Sequence, residues 1–283
     1  MSTNPAEVSK TRLFLDEDMP APQPLRLGSG DAFVYSRRCP GRSANQDSGA
    51  CIVLEAGAVL AVADGVGGQA GGANASRLVA ECLKDTVRRA GADGGAVRAA
   101  ILDGLEEANR RVLELGIGAG TTLAAVEILV DTLRPYHVGD SEILVVGQRG
   151  LVKLQTVSHS PVGYAVESGM LDGEEALHHD ERHLVSNLVG SSEMRIEVGS
   201  PLVMAQRDTL LLGTDGLFDN VPIPEIVETI RVGPLARAAE RLAEIACHRM
   251  DEPVEGQPSK PDDVTFLLYR RSGPGRSPTA SSR

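Results

Sequence analysis

The sequence predicts an α+β fold: two antiparallel β-sheets packed face to face and flanked by antiparallel helices, a four-layer αββα sandwich. Three observations predict it. Strand-like runs come in blocks and so do helical runs, without the strict alternation that a doubly wound parallel sheet requires. Neighbouring strand-like runs are joined by turns too short for a crossover, which suits antiparallel pairing. The 283 residues, 42% hydrophobic and 24% charged, suffice for one large domain or two modest ones.

Residues 1–30 carry Pro20, Pro22 and Pro24 with little periodicity and read as a flexible N-terminal extension. The domain is expected to span 31–271. It opens with a strand at 32–37 and a hairpin of "ACIVLEA" and "AVLAVAD" joined near Gly57. Two helical stretches follow. Leu78, Val79, Cys82, Leu83 and Val87 share one face of the first. Val97, Ile101, Leu102, Leu105, Ala108 and Val112 share one face of the second. The runs "TTLAAVEILV", "LRPYHVGD", "EILVVGQ" and "LVKLQTV" read as strands of an antiparallel meander, the last two separated near Gly150. Residues 158–190 are mixed, with two short helical pieces. "DTLLLGTD" is a strand ending at Asp215, and two helices follow, the second marked by Leu235, Ala239, Leu242 and Ile245. "DVTFLLYR" closes the domain. The tail at 272–283, "SGPGRSPTASSR", is expected to be disordered.

Composition excludes some functions. A net charge of -11 argues against a general nucleic-acid binder, which needs lysine and arginine to displace counterions. Aromatics are 3% and tryptophan is absent, so the core rests on Leu, Val, Ile and Ala. Cys39, Cys51, Cys82 and Cys247 form no C-x-x-C pair and read as reduced cysteines of a cytoplasmic protein. No apolar run approaches the ~20 residues that span a bilayer, so no membrane association is expected.

One stretch admits two readings. In "VADGVGGQAGG", Gly65, Gly67 and Ala70 fit the G-x-G-x-x-A turn that cradles a dinucleotide phosphate. That reading needs an acid after the next strand, and Asp85, at the right spacing, falls inside a helix that leads to another helix. The competing reading takes Asp64, at the end of a buried strand, as a metal ligand. Other acids share that placement. Asp47 precedes a strand, Asp140 and Asp215 follow strands, and Asp262 and Asp263 begin the last one. Clustered buried carboxylates repel one another unless cations neutralise them, and oxygen-only ligation selects Mg²⁺ or Mn²⁺.

With these residues in view, the sequence resembles the metal-dependent serine/threonine protein phosphatases of type 2C, the PPM family, in their bacterial form. The pieces that carry the resemblance are "RSANQD", "VADGVGG", "AGTTL", "HVGDS", "LLLGTDGLFD" and "PDDVT", in the family's order from Arg42 to Thr265. The resemblance implies two Mn²⁺ or Mg²⁺ ions and hydrolysis of phosphoserine and phosphothreonine by a hydroxide held between them. It assigns Asp64 as the bridging ligand, the Gly65 carbonyl to one ion, and Asp215 and Asp262 to the other. Asp47 holds a metal directly or through water, and Arg42 grips the phosphate as a planar fork. Asp140 matches a third, weaker metal site of bacterial members, and Thr121 and Thr122 shape the strand under the site.

The sequence also departs from the pattern. Gln46 stands where many members carry Glu, which weakens the charge around the second metal. Val66 stands where animal members carry a histidine that protonates the leaving group. Asp263 stands where the family often has Asn. Ser158 replaces an Asp before His159, at the start of a variable flap near 158–190 that holds His178, His179 and His183 and reads as a polar segment. The expected partners are a phosphoprotein substrate and a Ser/Thr kinase with its targets, and a monomer is expected. The alternatives are a pseudophosphatase acting as a binding module and a hydrolase of a non-protein phosphoester on the same scaffold.

Overall fold

The computed structural model describes residues 11–27, 30–66, 69–90 and 94–271. The chain runs through β1 (Arg12–Leu15), β2 (Gln23–Leu27), β3 (Gly30–Arg37), β4 (Ser48–Leu54), β5 (Gly57–Ala63) and the short β6 (Gly65–Val66). Helices α1 (Gln69–Ala90) and α2 (Gly94–Glu114) follow. Next come β7 (Gly120–Thr121), β8 (Leu123–Leu129), β9 (Thr132–Val138), β10 (Glu142–Val146) and β11 (Val152–Gln155). The short helices α3 (Pro161–Glu167) and α4 (Gly173–Leu177) lead to β12 (Glu197–Val198), β13 (Leu202–Val203) and β14 (Thr209–Gly213). The chain ends with α5 (Asp215–Phe218), α6 (Ile223–Ile230), α7 (Leu235–Asp251) and β15 (Val264–Arg271).

Two antiparallel sheets result. One has the order β1-β4-β5-β8-β9-β12, with β13 also on β9, and the other has the order β11-β10-β14-β15-β3-β2. The period-two alternation of β5 shows how they stack. Ala58, Leu60 and Val62 join the core between the sheets, while Val59, Ala61 and Ala63 pack with Val79, Leu83, Ile101 and Leu105 of α1 and α2. On the far side, the second sheet is covered by α7, whose Leu235, Ala239, Leu242 and Ala246 recur at helical spacing and are buried. The layers therefore run helices, sheet, sheet, helices, as the sequence predicts.

Two expectations are corrected. The segment read as a flexible extension contributes two strands: β1 pairs with β4 and β2 with β3, and Phe14 is fully buried. The prolines mislead because β2 lies at a sheet edge, where a strand tolerates proline. Residues 1–10 and the tail at 272–283 lie outside the described residues. The expected meander is also broken. β8 and β9 pair in the first sheet, but β10 and β11 pair in the second. The chain changes sheet at Gly139, whose φ of +102° is open to glycine and strained for other residues. Helix α5, absent from the sequence reading, begins at Asp215 itself.

Candidate active site

Strand register gathers the acids. Ser48 pairs with Ala63, so the residues just outside that end, Asp47 and Asp64, emerge together. Gly213 pairs with Phe266 in the facing sheet, which brings Asp215 toward the start of β15, where Asp262 and Asp263 sit. Asp140 joins them from the turn after β9, and it is 8% exposed.

Each acid is fixed by its own neighbours. The Thr214 hydroxyl donates to Asp47 Oδ2 (2.8 Å) and accepts from the Thr265 amide (3.0 Å). The Asp64 amide donates to Thr122 Oγ1 (3.0 Å), and the Thr121 hydroxyl donates to the Asp64 carbonyl (2.7 Å). The paired threonines thus hold the backbone of Asp64, as the sequence suggests.

The cluster is electrostatically unfinished. Burial, with the other carboxylates, raises Asp47, Asp64 and Asp140 well above the usual carboxylate range. Asp262 is pushed up to about 6 by burial and by Asp215, against the pull of Arg42. Asp215 is the exception. Burial raises it, but the Lys260 ammonium outweighs that and holds it below the usual range. Oδ1 of Asp47, Asp140 and Asp215 is buried without a hydrogen-bond partner. Carboxylate oxygens of this kind from three segments, unpartnered and mutually repelling, suit a hard divalent cation. The residues present fit such an ion.

Arg42 is engaged rather than free. Its Nη1 lies 2.7 Å from Asp262 Oδ1 and 2.8 Å from Asp263 Oδ2. Asp263, 1% exposed, also accepts from the Cys39 amide (2.7 Å) and the Gln46 amide (2.9 Å). Its carboxylate organises the loop that carries Arg42 and Asp47. Asp262 remains partly open, with 19% of its side chain exposed.

The glycines of the ambiguous stretch have a steric role. A Cβ at Gly65 would lie 2.3 Å from the Gly72 carbonyl, and one at Gly72 would lie 2.5 Å from the Gly65 oxygen. The two backbones touch, so α1 starts directly against the strand end that carries Asp64. Gly67, part of the dinucleotide pattern, lies outside the described residues. Val66 is exposed beside the site and carries no acid.

Sequence reasoning missed three charged residues here. Lys260 Nζ bridges Asp215 Oδ2 (2.5 Å) and Asp219 Oδ2 (2.6 Å). Burial would lower its pKa, but the two carboxylates raise it. Glu142, half-buried beside Asp140, is pushed up to about 7 by burial, with Asp219 adding to the rise. A cleft of about 760 Å³ runs from Asp140 and Asp215 past Glu142 and Phe218 to the flap helices. The signal that could have found Asp219 is its place four residues after Asp215 in "TDGLFD"; Lys260, paired across 45 residues of chain, has no such local signal.

The flap histidines separate. His178, His179 and His183 border a second cleft with Lys260. His159 instead stands against the buried His137, ring centroids 4.4 Å apart, and near Glu197. His159 Nδ1 accepts from the Gly139 amide (3.0 Å), which fixes the ring proton on Nε2, facing Glu197 Oε2 (3.0 Å). This ring clamps the turn that presents Asp140.

Residues 40–244 match the family model described as protein phosphatase 2C. The serine/threonine protein phosphatase PstP of Mycobacterium tuberculosis strain H37Rv is 31% identical over 245 residues, 80% of this chain. The chain spans 42% of that protein's length. The protein phosphatase PhpP of Streptococcus pneumoniae strain R6 is 30% identical over 72% of this chain and 86% of its own. Among solved structures, the catalytic domain of PstP in complex with two manganese ions aligns with a TM-score of 0.68 at 29% identity, over 86% of this chain and 98% of that one.

Proposed function

The chain belongs to the protein phosphatase 2C family, and from that premise we propose that it hydrolyses phosphoserine and phosphothreonine in proteins with the help of Mn²⁺ or Mg²⁺. The observation that carries this reading is the set of orphaned Oδ1 atoms on Asp47, Asp140 and Asp215, buried at the meeting of two sheets. Asp64, the Gly65 carbonyl, Asp215 and Asp262 would hold two ions, with Asp47 beside them. Bound there, the ions supply an acidified water and positive charge opposite the phosphoryl group.

The chain's own residues do the rest. Arg42 orients the phosphate, since a guanidinium offers two parallel donors to two oxygens. Asp263 holds Arg42 in place through Nη1. Thr214 holds Asp47, and the Thr121–Thr122 pair holds Asp64. Val66 offers no proton to the departing alkoxide. The catalytic unit spans the strands from Arg12 to Arg271, and the flap beside the cleft meets the polypeptide around the phosphorylated residue. The setting is signalling in the cytoplasm, by a monomer that opposes a Ser/Thr kinase. No helix among the described residues is long and apolar enough to cross a membrane.

The test is hydrolysis of p-nitrophenyl phosphate and of a phosphothreonine peptide with Mn²⁺, with Mg²⁺ and with EDTA. Activity is expected with either metal and is lost in EDTA. Asp64→Asn and Asp215→Asn are expected to remove it while circular dichroism stays native. Full activity in EDTA would overturn the reading.

A further inference from the structure

Lys260 occupies a position in the acid cluster that a cation of another kind would contest. Its ammonium sits between Asp215 Oδ2 and Asp219 Oδ2, and 19% of the side chain is exposed. Asp140 lines the same cleft as these two acids, and its buried Oδ1 has no partner. Lys260 takes Oδ2 of Asp215 and leaves the orphaned Oδ1 on that carboxylate for the ions of the main site.

The placement is built into the loop. The Lys260 amide donates to Asn220 Oδ1 (2.8 Å), and its carbonyl accepts from Asn220 Nδ2 (2.9 Å). Asn220 is fully buried, and the same Nδ2 donates to the Gly216 carbonyl (2.9 Å), one residue beyond Asp215. Arg249 Nη1 donates to the Asn220 carbonyl (2.6 Å). A buried amide therefore ties the backbone of Lys260 to α5, which begins at one of its carboxylate partners, Asp215, and is capped by the other, Asp219.

We propose that Lys260 is a resident counter-ion that closes the Asp140–Asp215–Asp219 side of the cluster to a third divalent cation. The inference rests on the two-ion reading of the site. An ammonium and a divalent ion cannot share the same carboxylate oxygens, because like charges a few ångströms apart repel strongly in a partly buried site. A third ion enters only when Lys260 withdraws. A cleft of about 640 Å³, bordered by Lys260, Asp180, Arg182, Glu255 and Gln257, gives the ammonium room to move. Lys260 thus sets how many ions the site carries.

The test is calorimetric titration of Mn²⁺ into the metal-stripped full chain, with melting temperatures recorded before and after. Wild type, Lys260→Met and Lys260→Arg are compared. Wild type is expected to take two ions tightly. Lys260→Met binds a third about tenfold or more tighter than wild type does. It also melts lower without metal and gains more on adding Mn²⁺. Lys260→Arg keeps the cation and follows wild type. Equal stoichiometry and affinity in wild type and Lys260→Met would overturn the role of Lys260 and leave the two-ion reading standing. Failure of folded wild type to bind Mn²⁺ would overturn both.

Discussion

Arg42 and Asp263 form an ion pair, Nη1 to Oδ2 at 2.8 Å, around a carboxylate that is 1% exposed. The neighbouring Asp262 shares the same Nη1 but stays partly open. Two adjacent aspartates of one motif therefore have different tasks. One holds the loop of Arg42 and Asp47, and the other faces the acid cluster.

This difference predicts a split between stability and metal binding. Asp263→Ala leaves the Cys39 and Gln46 amides and Arg42 without their acceptor, and breaking such a buried pair costs about 3 kcal/mol. Asp262→Asn is expected to cost under about 1 kcal/mol, since both members of this pair keep some exposure to solvent, and to weaken Mn²⁺ binding. Urea unfolding in EDTA and Mn²⁺ titration on both variants check this. Equal destabilisation by the two would reject the assignment.

Arg42 is the next case. Lysine keeps the positive charge but not the planar fork. Arg42→Lys is expected to lower kcat/KM by about 10- to 100-fold, the value of one or two charge-assisted hydrogen bonds. Most of the loss falls on KM for the phosphopeptide. Steady-state kinetics at saturating Mn²⁺ measures it, and an unchanged KM would place the phosphate elsewhere.

The glycine contact makes a steric prediction. At Gly72 an added methyl meets the Gly65 oxygen at 2.5 Å and Gln46 Nε2 at 2.4 Å, and backbone must shift. Gly72→Ala is expected to destabilise by about 2 kcal/mol and to reduce activity by displacing Asp64. Gly173→Ala, where a Cβ meets nothing within 4 Å, is the control and is expected to be nearly neutral. Melting curves and initial rates on both variants decide it.

These cases show what the sequence could convey. Asp47, Asp64, Asp140 and Asp215 were legible because each lies at the end of an apolar run beside Gly, Thr or Ser, a local signal. The two outer strands β1 and β2 were not, because short edge strands with proline carry no clean alternation. Sheet membership was hidden as well. Periodicity in β9 and β10 shows that both are strands, but only the turn at Gly139 puts them in different sheets. Lys260 stands 45 residues from Asp215, and no local pattern announces an ion pair that the packing of α7 and its loop creates. Arg42 was legible as a residue, but its ties to Asp262 and Asp263 were not, since they depend on how the first loop meets the last strand.

The buried His137 predicts a pH effect independent of the metals. It is 1% exposed, neither ring nitrogen has a partner at good hydrogen-bond geometry, and the Ser141 backbone beside it opposes the shift only weakly. Burial, then the adjacent His159, push its pKa down to about 3, whereas an unfolded histidine titrates near about 6.5. The unfolded chain therefore binds a proton below that value and the folded chain does not. Stability is complete above about 6.5 and falls as the pH drops toward 3, by about 1.4 kcal/mol per unit. Between pH 7 and pH 5 this one side chain should account for about 2 kcal/mol of lost stability. His137→Asn and His137→Phe both remove the titrating group, though their baselines will differ. Urea unfolding at the two pH values, in EDTA, gives the difference for each protein. In both variants that difference should be smaller than in wild type by about 2 kcal/mol, whatever the absolute stability. An unchanged difference in both would mean that His137 takes up its proton in the folded state, through movement of the His159 turn.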